Sequence, residues 1–333
     1  MEAFPGKARL TILRRLIAYA ERIFQLSNTV VAALFWARMG SLNALELAAH
    51  SSFFRRWLGQ SVCSADSVGR VTALDGHESH ASYRRHCPGC LERTIRTGQT
   101  ERTQYYRRQV TLMLLPGARP GYDPVRLLLD HEPQRTGEDE VATALRLLER
   151  VLGFYPRGFD LVLADALYST APLFNFLLAR DKHVLTVLKD DRRNLYQDAT
   201  ALFAASPAAE GSFRSRKCLW WDFPGQLSWP QVNAPVRVIR SRETRTVRRQ
   251  LDGKDKTLTS HWIWVTTLSE QSVSTRRAVA LGHQRWDIEN HGFNELISGW
   301  HADHIYKHDP DAIECFLLMA AEILDNVNPT LSP

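Results

Sequence analysis

Three acidic residues have side chains that could bind the metal ions of phosphoryl-transfer chemistry. Asp75 and Asp165 each follow a short apolar run that predicts a buried strand, and Glu289 lies in a later predicted helix. A carboxylate at the end of such a strand adds nothing to packing and is costly to leave unpaired. Carboxylate oxygens suit Mg²⁺ or Mn²⁺, and two such ions about 3.5–4 Å apart stabilise both oxygens of a phosphodiester displacement. The alternative interpretation is that each aspartate simply caps a turn or the next helix.

The segments around these acids predict an α/β fold. Residues 69–76 (GRVTALDG) predict a strand that ends at Asp75 and turns at Gly76. Two further strand patterns follow, and then helical and apolar strand patterns alternate as far as residue 191. This order is typical of a mixed sheet flanked by helices.

Changes in composition divide the chain into four regions. Residues 1–68 predict a helical region, 69–191 the first part of a core, 192–272 a β-rich insertion, and 273–333 the closing helices. A single long helix is predicted from Ser274, its N-cap, to Ser298, with Arg285 and Glu289 on one face. One more apolar helix is predicted over residues 308–321.

Motifs at all three acids resemble the DDE transposases of bacterial insertion sequences. ALDGHE contains Asp75, LADALY contains Asp165 and RWDIEN contains Glu289, and the likeness extends over about residues 30–325. The resemblance implies an RNase H-like catalytic core, interrupted by the β-rich insertion, whose catalytic triad is these three acids holding two Mg²⁺ ions. It also implies a polynucleotidyl transferase. Metal-activated water would cut DNA at the ends of the insertion element, and the freed 3′-hydroxyl would attack target DNA.

The closing helix departs from the family pattern of Tyr, Arg, Glu and Lys. Arg285 and Glu289 match, but Gly282 stands at the Tyr position and Leu296 at the Lys position. The usual phosphate contacts of this helix are therefore incomplete. The residues that could replace them are Asn290, Asn294, His283 and Lys189.

A second cluster of reactive side chains lies in residues 77–90. The sequence CPGC places Cys87 and Cys90 around a tight Pro-Gly turn, the geometry of a zinc knuckle. A structural Zn²⁺ needs four ligands, so histidines such as His77, His80 or the distant His131 would have to complete the set. The alternative interpretation is a pair of free, buried thiols.

Charge and composition are compatible with DNA as a partner, but they do not identify it. The net charge is +6 and the pI is about 9.2. Besides Arg285, the basic residues best placed to contact DNA are Arg245, Arg248 and Arg249 in the insertion, followed by Lys189, Arg84 and Arg85. The insertion also holds five of the nine tryptophans, most of which are expected in its core.

Cysteine usage and hydropathy predict the compartment. Five cysteines in 333 residues do not make a disulfide framework. The apolar run at residues 29–36 is too short to span a membrane and begins too late for a signal peptide. We therefore expect a protein of the bacterial cytoplasm.

The sequence as a whole predicts a bacterial insertion-sequence transposase that acts on DNA as a homodimer, with Mg-dependent strand cleavage and strand transfer. Two alternatives stay open. An RNase H-like nuclease would cut DNA without strand transfer, and a catalytically inactive remnant would only bind DNA. The presence of all three acids argues against the remnant.

Overall fold

The computed structural model describes residues 71–115, 127–156, 158–189, 193–248 and 254–300. Within these ranges ten strands hydrogen-bond in one mixed sheet flanked by helices, which confirms the predicted α/β, RNase H-like fold class. The described residues fall into two compact units: residues 71–72, Gly76–Phe159 and 288–300 form the first, and Ala73–Asp75 with Asp160–Asp287 form the second. The predicted helical region 1–68 and the predicted helix over 308–321 lie outside the described residues, and the predicted domain boundaries stay predictions.

The first unit contains four strands and a helix of 15 residues, and the closing segment 288–300 also belongs to it. Its elements are β1 (Val71–Ser82), β2 (Leu91–Thr97), β3 (Thr100–Leu114), β4 (Leu127–Pro133) and α1 (Glu140–Phe154). β3 pairs with β2 along its first half and with β4 along its second half. Asp139 caps α1 by accepting a hydrogen bond from the Ala142 N–H. α1 buries Leu147 and Leu148 and contacts β3 and β4.

The second unit continues from parallel strands into antiparallel ones. Its elements are β5 (Leu161–Ala164), α2 (Ala171–Leu178), β6 (His183–Val187), α3 (Asn194–Ala205), β7 (Ala209–Phe213), β8 (Arg216–Gln226), β9 (Val236–Arg248), β10 (Asp255–Thr266) and α4 (Thr275–Gln284). β5 and β6 are parallel, and β10 pairs antiparallel with β6. β9, β8 and β7 follow in antiparallel order. The four strands of the predicted β-rich insertion therefore extend the sheet from β6.

The first strand runs further than the sequence predicts. β1 does not end at Asp75 but continues through Gly76 to Ser82, so the predicted turn at Gly76 is wrong. Gly76 serves a close approach instead, since the Glu140 carboxylate occupies the space that a β-carbon would need. The long β3 lies beside β1 in the sheet and supplies the backbone partners that keep β1 extended.

The closing helix is interrupted, although its start is as predicted. Ser274 caps α4 by accepting a hydrogen bond from the Arg277 N–H, but α4 ends at Gln284. A π-helical segment then covers Ile288–Phe293, and α5 (Asn294–Trp300) follows it. The prediction of one continuous α-helix to Ser298 is therefore wrong, and the regular i,i+4 spacing assumed for Arg285 and Glu289 does not apply.

Candidate active site

Asp75 lies in the middle of β1, directly after the buried residues Ala73 and Leu74. Its side chain is 13% exposed, and its Oδ2 accepts a hydrogen bond from Arg285 Nη1 at 3.2 Å. Arg285 itself is buried. The interior of a strand thus presents a carboxylate to a cation from the segment that follows α4.

Asp165 follows β5, whose four residues are all buried. The predicted position at the end of a buried strand is confirmed. Its side chain also accepts a hydrogen bond from the Leu167 N–H at 2.8 Å and caps the short 3₁₀ turn Ala166–Tyr168. Asp165 therefore also caps the turn that follows the strand, which was the alternative interpretation of this residue. The cap fixes its carboxylate at the end of the strand.

The sheet order places the two aspartates on neighbouring strands, since β1 lies next to β5. Residues Ala73–Asp75 of β1 belong to the same compact unit as β5. Adjacent strands are about 4.8 Å apart, so carboxylates on them can share ligands.

Glu289 is the second residue of the π-helical segment, within the first unit. Its neighbours Ile288 and Phe293 are buried, while Glu289 is half-buried. π-Helical turns are rare and occur mostly as single turns at functional sites, because the extra residue redirects a side chain. This backbone feature singles out Glu289 independently of its sequence motif.

The three acids differ from a preformed metal site in geometry but not in donor chemistry. Among the described residues no group of three His, Cys, Asp or Glu side chains is arranged to hold a metal ion. The donor chemistry of Asp75, Asp165 and Glu289, three carboxylates, nevertheless fits Mg²⁺ or Mn²⁺ rather than zinc.

The two departures from the family's helix pattern have structural reasons. At Gly282 a β-carbon would lie 2.5 Å from the indole of Trp264, so the packing of β10 leaves no room for a side chain there. Leu296 is 3% exposed and belongs to the core. Of the residues that could replace the missing contacts, His283 is engaged with Glu243 at 2.6 Å, whereas Asn290, Asn294 and Lys189 are exposed.

An exposed indole beside the site was not predicted. Trp286 is 38% exposed, and the Arg285 guanidinium carbon lies 4.2 Å from its ring centroid. The ring of Trp262 packs edge-on against the ring of Trp286, and the two ring centroids are 6.4 Å apart. The neighbouring residues Arg285 and Trp286 in the sequence could have predicted this contact, since arginine stacks readily on indole.

The structure separates the basic residues into exposed and buried ones. Arg237, at the start of the basic stretch on β9, is buried and forms an ion pair with Asp222, so it is structural. Arg249 lies outside the described residues. The other residues predicted to contact DNA are exposed: Arg84, Arg85, Lys189, Arg245 and Arg248.

Cys87 and Cys90 are brought together as the turn predicts. Both are buried, and their Sγ atoms are 3.5 Å apart. No third His, Cys, Asp or Glu joins them to complete a metal group in the described part of the chain. The zinc site and the alternative of free thiols both stay predictions.

Comparison with known families decides the identity. A family model of the transposase DDE domain matches residues 91–324, which is more than half of the chain. The chain belongs to the DDE transposase domain family. The matched residues include Asp165 and Glu289 and begin after Asp75, so the assignment of Asp75 rests on its strand and on Arg285. No curated protein matches the chain.

Membership in this family implies a catalytic domain of the transposase and nuclease type, DNA as its partner and a divalent metal ion as its cofactor. No helix in the described ranges is both long and apolar enough to cross a bilayer.

Proposed function

We propose that this chain is a bacterial insertion-sequence transposase that cleaves DNA at the ends of its element and transfers the 3′ ends to target DNA. The observation that carries the proposal is the pairing of Asp75 with Arg285. It joins the first acid of the predicted triad to Arg285, one of the two residues of the family's helix pattern that this sequence keeps.

In this proposal Asp75, Asp165 and Glu289 hold two Mg²⁺ ions. When bound, Mg²⁺ supplies Lewis-acid stabilisation of the attacking and leaving oxygens. Arg285 orients the Asp75 carboxylate by donating a hydrogen bond to it at 3.2 Å. The Leu167 N–H donates to the Asp165 carboxylate and orients it in the same way. The exposed residues Arg245 and Arg248 bind phosphates away from the triad.

A direct assay tests the proposal. The purified protein is incubated with Mg²⁺ and a labelled duplex that carries the element's terminal repeat, identified by sequencing the DNA that flanks the gene. We expect cleavage and strand transfer by the wild type and a loss of about 10³-fold or more in Asp165→Ala, since metal-bound carboxylates supply several kcal/mol of transition-state stabilisation. Asp198→Ala, an exposed aspartate on α3, is the matched control and should keep full activity.

Each alternative has its own outcome in this assay. Cleavage without strand transfer would identify an RNase H-like nuclease. Binding without either reaction would identify an inactive remnant, and undiminished cleavage by Asp165→Ala would contradict the triad.

We also propose that the protein works in the bacterial cytoplasm as a homodimer, with one protomer at each end of the element. Sedimentation of the protein with a labelled end duplex should then give a species of two protomers and two duplexes. A species with one protomer under cleavage conditions would contradict the dimer.

A further inference from the structure

The Cys87–Cys90 turn holds two thiols in position to react with each other. The Cys90 N–H donates to the Cys87 carbonyl at 2.9 Å and closes a β-turn with Pro88 and Gly89 at its centre. The Cys87 N–H donates to Cys90 Sγ at 3.3 Å, and the two Sγ atoms are 3.5 Å apart. Closing them to a disulfide bond of about 2.05 Å requires only a small side-chain movement.

A buried cation faces this turn. Arg107 on β3 is 6% exposed, its Nη2 donates to Cys87 Sγ at 3.6 Å, and its Nε has no hydrogen-bond partner in the described residues. Gly89 makes the approach possible, because a β-carbon there would lie 2.6 Å from Arg107 Nη2. A buried guanidinium is costly to leave without polar partners, and the Cys87 sulfur is one partner that this guanidinium contacts.

The same features argue against a structural zinc ion. Within the described ranges no third ligand completes a metal group with the two cysteines, and a guanidinium beside the thiols repels a divalent cation. A cavity of about 660 Å³ is lined by Pro88, Gly89, Arg107 and His131, so small molecules can reach the turn from solvent.

We propose that Cys87 and Cys90 form a redox-active dithiol, a modification site for small organic disulfides, in which Arg107 positions Cys87 as the attacking thiolate. The Cys87 thiolate attacks one sulfur of the small disulfide, forming a mixed disulfide and releasing one thiolate. Cys90 then loses its proton and attacks Cys87 Sγ, which forms the Cys87–Cys90 bond and releases the second thiolate. The two cysteines are oxidised by two electrons, and the small disulfide is reduced by two.

The surroundings of Cys90 suit its role as the second nucleophile. Burial raises the pKa of the Cys90 thiol, so it stays protonated while Cys87 reacts. Cys218 offers an internal comparison, since it is also buried and its pKa is also raised by burial, but it has no second cysteine beside it in the described residues.

Oxidised glutathione is the probe for the first experiment. The full-length protein is treated at neutral pH, and peptides are analysed by mass spectrometry. We expect a Cys87–Cys90 disulfide in the wild type, and in Cys90→Ser a glutathione mixed disulfide trapped at Cys87. Cys218 should stay unmodified. The proposal would be overturned if neither the Cys87–Cys90 disulfide nor the glutathione mixed disulfide at Cys87 formed. It would also be overturned if the purified protein held one equivalent of zinc that a chelator had to remove before the thiols reacted.

A second experiment isolates Arg107. Alkylation of Cys87 by iodoacetamide at neutral pH should slow by about tenfold in Arg107→Gln, because the cation that contacts the reacting sulfur is removed. Arg107→Lys should recover part of the rate, whereas alkylation of Cys218 should be equal in all three proteins. Circular dichroism verifies that each variant is folded. An equal Cys87 rate in wild type and Arg107→Gln would overturn the role given to Arg107.

Discussion

Two buried or partly buried carboxylates show how differently this fold treats the same chemical group. Glu243 on β9 is fully buried and accepts from Arg216 at 2.6 Å and Ser241 at 3.1 Å, with His283 at 2.6 Å. Although burial raises the pKa of Glu243, the bonds to His283 and Arg216 outweigh it and hold that pKa below its usual value. Asp75 instead keeps 13% of its side chain exposed and meets Arg285 at 3.2 Å.

The difference between Glu243 and Asp75 indicates which of the two carboxylates could bind a cation from solution. The protein neighbours of Glu243 form short bonds and exclude solvent, so the group is part of the packing. Asp75 has a longer contact and keeps 13% of its side chain exposed, so solvent reaches part of this carboxylate. Four variants test such contrasts between buried and exposed groups, from the largest expected effect to the smallest.

Asp75→Asn should reduce Mg-dependent strand cleavage by about 10³-fold or more, since a neutral amide is a poor ligand for Mg²⁺. The free energy of unfolding should change by less than about 1 kcal/mol, because the amide can still accept from Arg285. Cleavage of the end duplex and urea unfolding measure the two quantities. A loss of stability as large as the one expected for Glu243 would erase the distinction.

Glu243→Gln should show the reverse pattern. Breaking a buried ion pair costs roughly 3–5 kcal/mol, because Arg216 and the ring of His283 then lose their anion. We therefore expect a drop of about 3 kcal/mol in the free energy of unfolding, measured by urea titration, with cleavage per folded molecule unchanged. A drop below about 1 kcal/mol would show that the network is not structural.

The arginines of β9 divide in the same way, since Arg237 is buried against Asp222 while Arg245 and Arg248 are exposed. Replacing Arg245 and Arg248 with Ala should weaken DNA binding and reduce the slope of log affinity against log salt by about 1.8, or about 0.9 per phosphate contact. Fluorescence anisotropy over a salt series measures it. The exposed Arg96 and Arg135 in the first unit, replaced together by Ala, are the charge-matched control, and an identical slope in the two double variants would contradict phosphate contact by β9.

His131 extends the comparison to a buried base. Burial lowers its pKa from the ordinary 6.5. Below about pH 6.5 the unfolded chain therefore binds a proton that the folded protein does not, and folding stability falls as the pH drops toward the folded pKa, by at most about 1.4 kcal/mol per pH unit. His131→Gln should lose less stability than the wild type between about pH 7.5 and 5.5 in urea titrations. Parallel curves for the two proteins would contradict this.

Much of the local structure could be predicted from the sequence, because the signals act over a few residues. Ser274 caps its helix, and Asp165 follows a buried strand, as their patterns predict. β2 escaped prediction, since its alternating charged residues lack the apolar run that marks a strand, and its turn to β3 depends on Gly98 at a φ of +63°.

The sequence alone determined the α/β class, the order of the three acids and the family to which they point. The structure alone decided that β1 passes through Gly76, that Gly282 is required by Trp264, and that Arg285 bonds Asp75. The reason is range: caps and apolar periodicity are set by neighbours in the chain, whereas these three features depend on side chains and strands that are distant in sequence and meet only when the sheet forms.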